Sequence, residues 1–116
     1  MTEQIDLKEI IEDYNIYLAR LQPGTLQIAN DFRQNKNDLA LQGVANFIEG
    51  MNWLISANNY FVNKGITTDF EEQKIVEFFN EINEALSVQD YFLVADLFEY
   101  EISDYFSTIK EIQLDN

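Results

Sequence analysis

The groups in this sequence that could do the most chemistry are carboxylates, and several are spaced to share one face of a helix. Asp96 and Glu99 are three positions apart and Ser103 follows Glu99 by four, so an α-helix would align all three side chains. Glu101 and Asp104 would form a second pair by the same spacing. Carboxylates grouped in this way can bind a divalent cation or act as a general acid and base.

The residue types that usually complete such sites are missing from the sequence. It contains no histidine and no cysteine, which excludes imidazole bases, thiolate nucleophiles and disulfides. It also lacks a DxDxDG-type calcium loop, a glycine-rich phosphate loop and a GxSxG motif. A hydrolase with paired carboxylates would need a cleft that short helical bundles rarely provide. We therefore interpret the acidic clusters as solvent-exposed faces, and we predict no enzyme activity, no catalytic residues, no metal site and no cofactor.

The net charge restricts the kinds of partner. The chain has 21 acidic and 7 basic residues, a formal net charge of −14, and its basic residues are scattered. Binding to nucleic acid or to anionic lipid depends on clustered lysine and arginine, so we predict neither. An acidic surface can simply maintain solubility. It can also attract a basic protein, or imitate the charge of nucleic acid in an inhibitor.

The composition favours one helical domain, which we predict to span residues 1–116. The chain is 47% hydrophobic and 14% aromatic, which suffices for a substantial core at this length. One proline and four glycines leave room for long helices. No uninterrupted apolar segment is long enough to cross a bilayer, and no basic region followed by an apolar run marks a signal peptide. We therefore expect a cytoplasmic protein.

The spacing of the apolar residues predicts an all-α fold. Short connections favour an antiparallel bundle of four main helices, and the alternative is an irregular array of five helices. We expect the first helix to be split near Pro23, because proline is disfavoured inside a helix. Gly43 and Gly50, seven positions apart, would allow a close approach between helices. The predicted helices cover about residues 5–21, 23–34, 38–63, 70–86 and 88–112.

The last helix contains more apolar residues than one face can hold. Its stretch SVQDYFLVADLFEYEISDYF, residues 87–106, carries one stripe that we assign to the core and a second row that we do not. We predict that this second row, which comprises Phe92, Leu93, Leu97 and Tyr100, is not fully covered within one monomer, and that Asp96, Glu99 and Asp104 lie at its rim. The predicted core comprises Phe47, Met51, Leu54, Phe79, Ile82, Phe98, Ile102 and Phe106. The candidate partner-binding residues are Trp53, Tyr60, Phe92, Leu93, Leu97 and Tyr100.

Two stretches of the sequence carry a resemblance to known proteins. Residues 48–54 read IEGMNWL and residues 95–101 read ADLFEYE, a pattern similar to that of uncharacterised small acidic helical proteins of Firmicutes. More distantly, the layout around the NKND turn at residues 35–38 resembles the flagellar export chaperone family. Those proteins are small, cytoplasmic, acidic helical bundles that protect flagellin, so the resemblance implies a chaperone-like role.

These observations favour a non-enzymatic protein-binding or chaperone-like adaptor. It would hold an amphipathic helix or a basic segment of a protein partner against its exposed apolar rows. One alternative is an acidic inhibitor that mimics nucleic-acid charge. Another is a protein of no assignable activity that self-associates, most simply as a twofold homodimer.

Overall fold

The computed structural model describes residues 6–113, which form helices and no strand. The first three helices are α1, Leu7–Arg33; α2, Asn37–Asn63; and α3, Glu72–Ser87. Residues 91–107 form a fourth helix, α4, in three successive segments: α-helical Tyr91–Asp96, π-helical Leu97–Ile102 and α-helical Ser103–Ser107. The predicted all-α class is therefore confirmed. None of the described helices combines the length and the apolar character needed to cross a membrane.

The predicted split of the first helix is wrong, because α1 continues through Pro23. Pro23 has no N–H to donate to the carbonyl of Ala19, and both residues are exposed, so water can hydrate that carbonyl instead. Thr25 is buried, and its hydroxyl donates a hydrogen bond to the carbonyl oxygen of Gln22 at 2.9 Å. The proline therefore lies on the solvent side of one helix, where the lost hydrogen bond costs least.

The core lies where α1 meets α2 and α4, and α3 packs mainly against α4. The ring of Phe98 in α4 contacts Phe47 in α2 edge to face, with centroids 5.0 Å apart. Phe79 is half-buried at the edge of this cluster. The other seven predicted core residues are buried: Phe47, Met51, Leu54, Ile82, Phe98, Ile102 and Phe106.

The π-helical segment explains part of the apolar surplus in α4. Val94, Phe98, Ile102 and Phe106 are all buried and lie four positions apart. In a regular α-helix, three steps of four residues would rotate the last side chain about 120° away from the first. The wider i→i+5 turns keep the four side chains on the core side. The same change of register turns Leu97 inward.

Comparison of two helical glycines gives a first prediction. A Cβ at Gly43 would lie 2.8 Å from Cγ1 of the buried Ile28, whereas a Cβ at the exposed Gly24 would meet nothing within 4 Å. Alanine is favoured over glycine in a helix by about 1 kcal/mol, but overpacking costs about 1–3 kcal/mol. We expect Gly24→Ala to raise the free energy of unfolding by about 0.5–1 kcal/mol and Gly43→Ala to lower it. Urea denaturation of both variants checks this, and equal gains would contradict the close packing of α1 and α2.

Candidate protein-binding groove

Two of the carboxylates that could have formed a reactive cluster, Asp96 and Glu99, are engaged in an ion-pair network. The guanidinium of Arg33, at the end of α1, lies 2.8 Å from Oδ1 of Asp96 and 2.9 Å from Oε1 of Glu99. The hydrogen bond to the Asp96 carboxylate, and to a smaller extent the one to Glu99, raises the pKa of the Arg33 guanidinium. Within residues 6–113, no group of three or more acidic side chains is placed to hold a metal ion. The ion pairs of Asp96 and Glu99 with Arg33 therefore link α4 to the end of α1.

The candidate partner-binding residues of α4 are only partly exposed. Phe92, Leu93 and Tyr100 are 58%, 45% and 64% exposed, whereas Leu97 is buried. The prediction that this row is not fully covered within one monomer is therefore confirmed. Of the three acids predicted at the rim, Asp96 and Asp104 are exposed and Glu99 is half-buried. The pairing of this face with a second copy of the chain stays a prediction.

The six candidate residues do not meet on one surface. Tyr100 lines a hollow between α3 and α4 together with Lys74 and Phe78. Trp53 lines a different cavity, between α1 and α2, and its ring contacts Tyr17 of α1 edge to face with centroids 6.0 Å apart. Tyr60 is half-buried, with the ammonium of Lys64 5.5 Å from its ring centroid. Trp53 therefore contacts α1, whereas Tyr100 lies between α3 and α4.

A groove between α1 and α2 combines an apolar lining with exposed apolar rims, and we name it the α1–α2 groove. It consists of two adjoining cavities of about 510 and 310 Å³, both lined by Tyr17 and Arg20. Ile16, Leu39 and Trp53 are 51%, 58% and 40% exposed and lie in its walls. The larger cavity is also lined by Leu21, Gly24, Thr25, Gln27, Ile28, Asp31, Gln42, Gly43, Asn46 and Phe47, and the smaller one by Asp13 and Gly50.

Glycines and a tyrosine shape the α1–α2 groove. A Cβ at Gly50 would overlap the Tyr17 hydroxyl, so this glycine lets the phenol sit over α2 where the two cavities join. Burial raises the pKa of the Tyr17 phenol, so the hydroxyl is protonated at neutral pH and can donate a hydrogen bond. The close helix approach expected at Gly43 and Gly50 is thus confirmed, and both glycines line the groove.

Three charged residues line the α1–α2 groove: Asp13, Arg20 and Asp31. Asp13 and Arg20 are exposed, whereas Asp31 is buried and accepts a hydrogen bond from Nε2 of Gln27 at 2.9 Å. The remaining lining is mostly apolar. The groove therefore suits an occupant with an apolar face and at least one polar or charged contact.

Two apolar residues in the sequence signal this groove. Ile16 and Leu39 are apolar residues outside the core stripes of α1 and α2, and each taken singly has the character of an ordinary exposed surface residue. Only the packing of α1 against α2 brings them to the rims of one groove.

A separate cavity, of about 710 Å³, lies where α1 begins. Lys8, Asp69, Lys110 and Glu111 line it together with the hydroxyl-bearing Thr67 and Thr68. Because both signs of charge are represented equally, the lining does not favour one class of ligand.

Comparison with known proteins gives one family. Residues 9–112 match the family model described as Domain of unknown function (DUF8042), so the chain belongs to this family. No curated protein and no solved structure gives a significant match. The α1–α2 groove lies entirely within the matched range.

Proposed function

We propose that this member of the DUF8042 family is a non-enzymatic, chaperone-like adaptor of the cytoplasm that holds an amphipathic, basic helix of a protein partner in the α1–α2 groove. The observation that carries the proposal is an open apolar groove between two long helices of a chain with a net charge of −14. Scattered apolar residues are normal on a protein surface, but apolar rims around one groove are typical of a binding site.

The dimensions of the α1–α2 groove fit a helix. Its lining on α1 extends from Asp13 to Asp31, which corresponds to about 27 Å along a helix axis. A partner helix of about 16 residues spans most of that length and presents apolar side chains at i, i+3, i+4 and i+7. Two successive cavities separated by Tyr17 can receive successive turns of such a helix.

The charge of the chain supports a basic partner. A strongly acidic protein attracts cationic segments over distance and repels acidic ones, which raises the association rate with basic partners at low salt. The apolar lining then supplies affinity that salt does not screen. The proposed complex should therefore associate more slowly at high salt but still form. An inhibitor that mimics nucleic-acid charge would lose its partner at high salt instead.

A selection from displayed peptides tests the proposal. The library would contain helical peptides of about 16 residues with leucine at i, i+3, i+4 and i+7 and with Ala, Gln, Lys or Glu elsewhere. We expect enrichment of cationic members and about tenfold weaker binding of the best peptide to Ile16→Gln/Leu39→Gln, because two apolar contacts are lost. Titration calorimetry with the purified variants measures this loss.

The matched control changes two exposed apolar residues outside the groove. Val62 and Val76 are 60% and 39% exposed, comparable with Leu39 and Ile16. The variant Val62→Gln/Val76→Gln should bind the selected peptide as the wild type does. A similar loss in both double variants, or no enriched peptide at all, would contradict the proposed function.

A further inference from the structure

Asp31 is the one acidic residue that is buried among residues 6–113, with 5% of its surface exposed. It lies near the end of α1 and is one of the residues that line the larger cavity of the α1–α2 groove, as are Ile28 and Leu39. A carboxylate with this little exposure is normally paired with a cation or held by several hydrogen bonds. The surroundings of Asp31 supply fewer partners than a buried carboxylate normally has.

Within the described part of the chain, Asp31 forms no ion pair. Its side chain accepts one hydrogen bond, from the neutral amide of Gln27 to Oδ1 at 2.9 Å. Arg20 is the cation of the same cavity, but it lies eleven positions earlier on α1, about 16 Å along the helix axis. An ionised carboxylate offers about four acceptor sites, so most of the capacity of Asp31 remains available to a group that enters the cavity.

The surroundings determine which group fits. Lysine and arginine combine a cationic head with an aliphatic stem. The stem would pack against Ile28 and Leu39 while the head reaches the Asp31 carboxylate. A hydrogen bond between two charged groups in an apolar cleft is stronger and less screened by salt than one at an open surface. A bare metal ion is a poorer match, because a single carboxylate provides too few ligands.

We propose that Asp31 is the specificity-determining residue of the α1–α2 groove, which receives a lysine or arginine placed next to the apolar face of the partner helix. This inference rests on the proposed function and adds the chemistry of recognition. Neutral amphipathic helices would fit the apolar lining but would leave Asp31 desolvated and unpaired, so the groove would reject them.

The test uses the best cationic peptide from the displayed library and a version in which the lysine next to its apolar face, at the position shared by the selected peptides, is replaced by glutamine. We expect the replacement to weaken binding to the wild type at least about tenfold and to have little effect on Asp31→Asn, which removes the charge with almost no change in shape. Asp13→Asn is the matched control, because Asp13 is the other acid of the groove and is exposed. In that variant the full effect of the lysine should remain.

The outcomes separate this inference from the proposed function. If no peptide binds, both fail. If peptides bind but the lysine contributes equally to binding of the wild type and of Asp31→Asn, the inference fails and the groove remains a helix-binding site. Should Asp31→Asn not fold, carbodiimide coupling on the wild type decides: an amide between the peptide lysine and Asp31 supports the inference, and one to any other carboxylate overturns it.

Discussion

Replacing Phe98 with alanine is expected to lower the free energy of unfolding by about 3–5 kcal/mol. The Phe98 ring has no exposed surface and packs edge to face against Phe47. Phe98 also belongs to the π-helical segment, whose register keeps the side chains at positions 94, 98, 102 and 106 on the core side. Removing the ring leaves a cavity that the surrounding helices can close only in part.

The same helix provides the control for this substitution. Phe92 is 58% exposed, so Phe92→Ala should cost less than about 1 kcal/mol. Chemical denaturation of both variants, followed by circular dichroism, gives the two free energies. A small loss for Phe98→Ala, or equal losses for the two variants, would contradict the burial of Phe98 in the core.

The second large effect is expected at alkaline pH and originates at Tyr14. Burial raises the pKa of the Tyr14 phenol from 10.0 to about 12, although the nearby Thr68 hydroxyl acts in the opposite direction. Below pH 10 the phenol is protonated in the folded and the unfolded state, so its contribution to stability is complete. Between about pH 10 and 12 the unfolded state releases this proton first, and the free energy of unfolding should fall by about 2 kcal/mol.

The variant Tyr14→Phe isolates this contribution from those of Tyr17 and Tyr105, whose pKa values are also raised by burial. The Tyr14 hydroxyl is buried without a hydrogen bond of acceptable geometry, so its removal should not destabilise the protein at neutral pH. Denaturation between pH 8 and about 12 should show a shallower decline for Tyr14→Phe than for the wild type. Tyr100→Phe removes an exposed phenol and serves as the control. Identical slopes for the wild type and Tyr14→Phe would contradict the burial of this group.

The core was predictable because its periodicity is strong. Phe47, Met51 and Leu54 follow one stripe of α2, and burial of such a stripe is the main force that stabilises a helix in a protein. Pro23 was misread for a local reason. Proline interrupts a helix where the carbonyl that loses its hydrogen bond finds no other partner. Ala19 and Pro23 are both exposed, so water can hydrate the carbonyl of Ala19 and the helix continues.

The π-helical segment and the groove could not be derived from one helix at a time. Apolar residues at positions 94, 98, 102 and 106 have the four-residue spacing of a widened helix, but α-helical stripes explain nearly the same residues. Ile16 and Leu39 become parts of one site only through the packing of α1 on α2. The burial of Asp31 could not be predicted from the sequence either, because it depends on the same packing of α1 on α2.

Photo-crosslinking in cells of the organism that makes this protein tests the central claim most directly. A photoreactive phenylalanine analogue would replace Leu39, at the rim of the α1–α2 groove, or Val62, which is on the same helix and similarly exposed at 60% against 58%. We predict an adduct at position 39 and not at position 62, with the crosslinked segment mapped by mass spectrometry to a basic, amphipathic helix of one partner protein. Equal crosslinking at the two positions, or a segment at position 39 that is neither basic nor amphipathic, would contradict the claim that this groove holds such a helix.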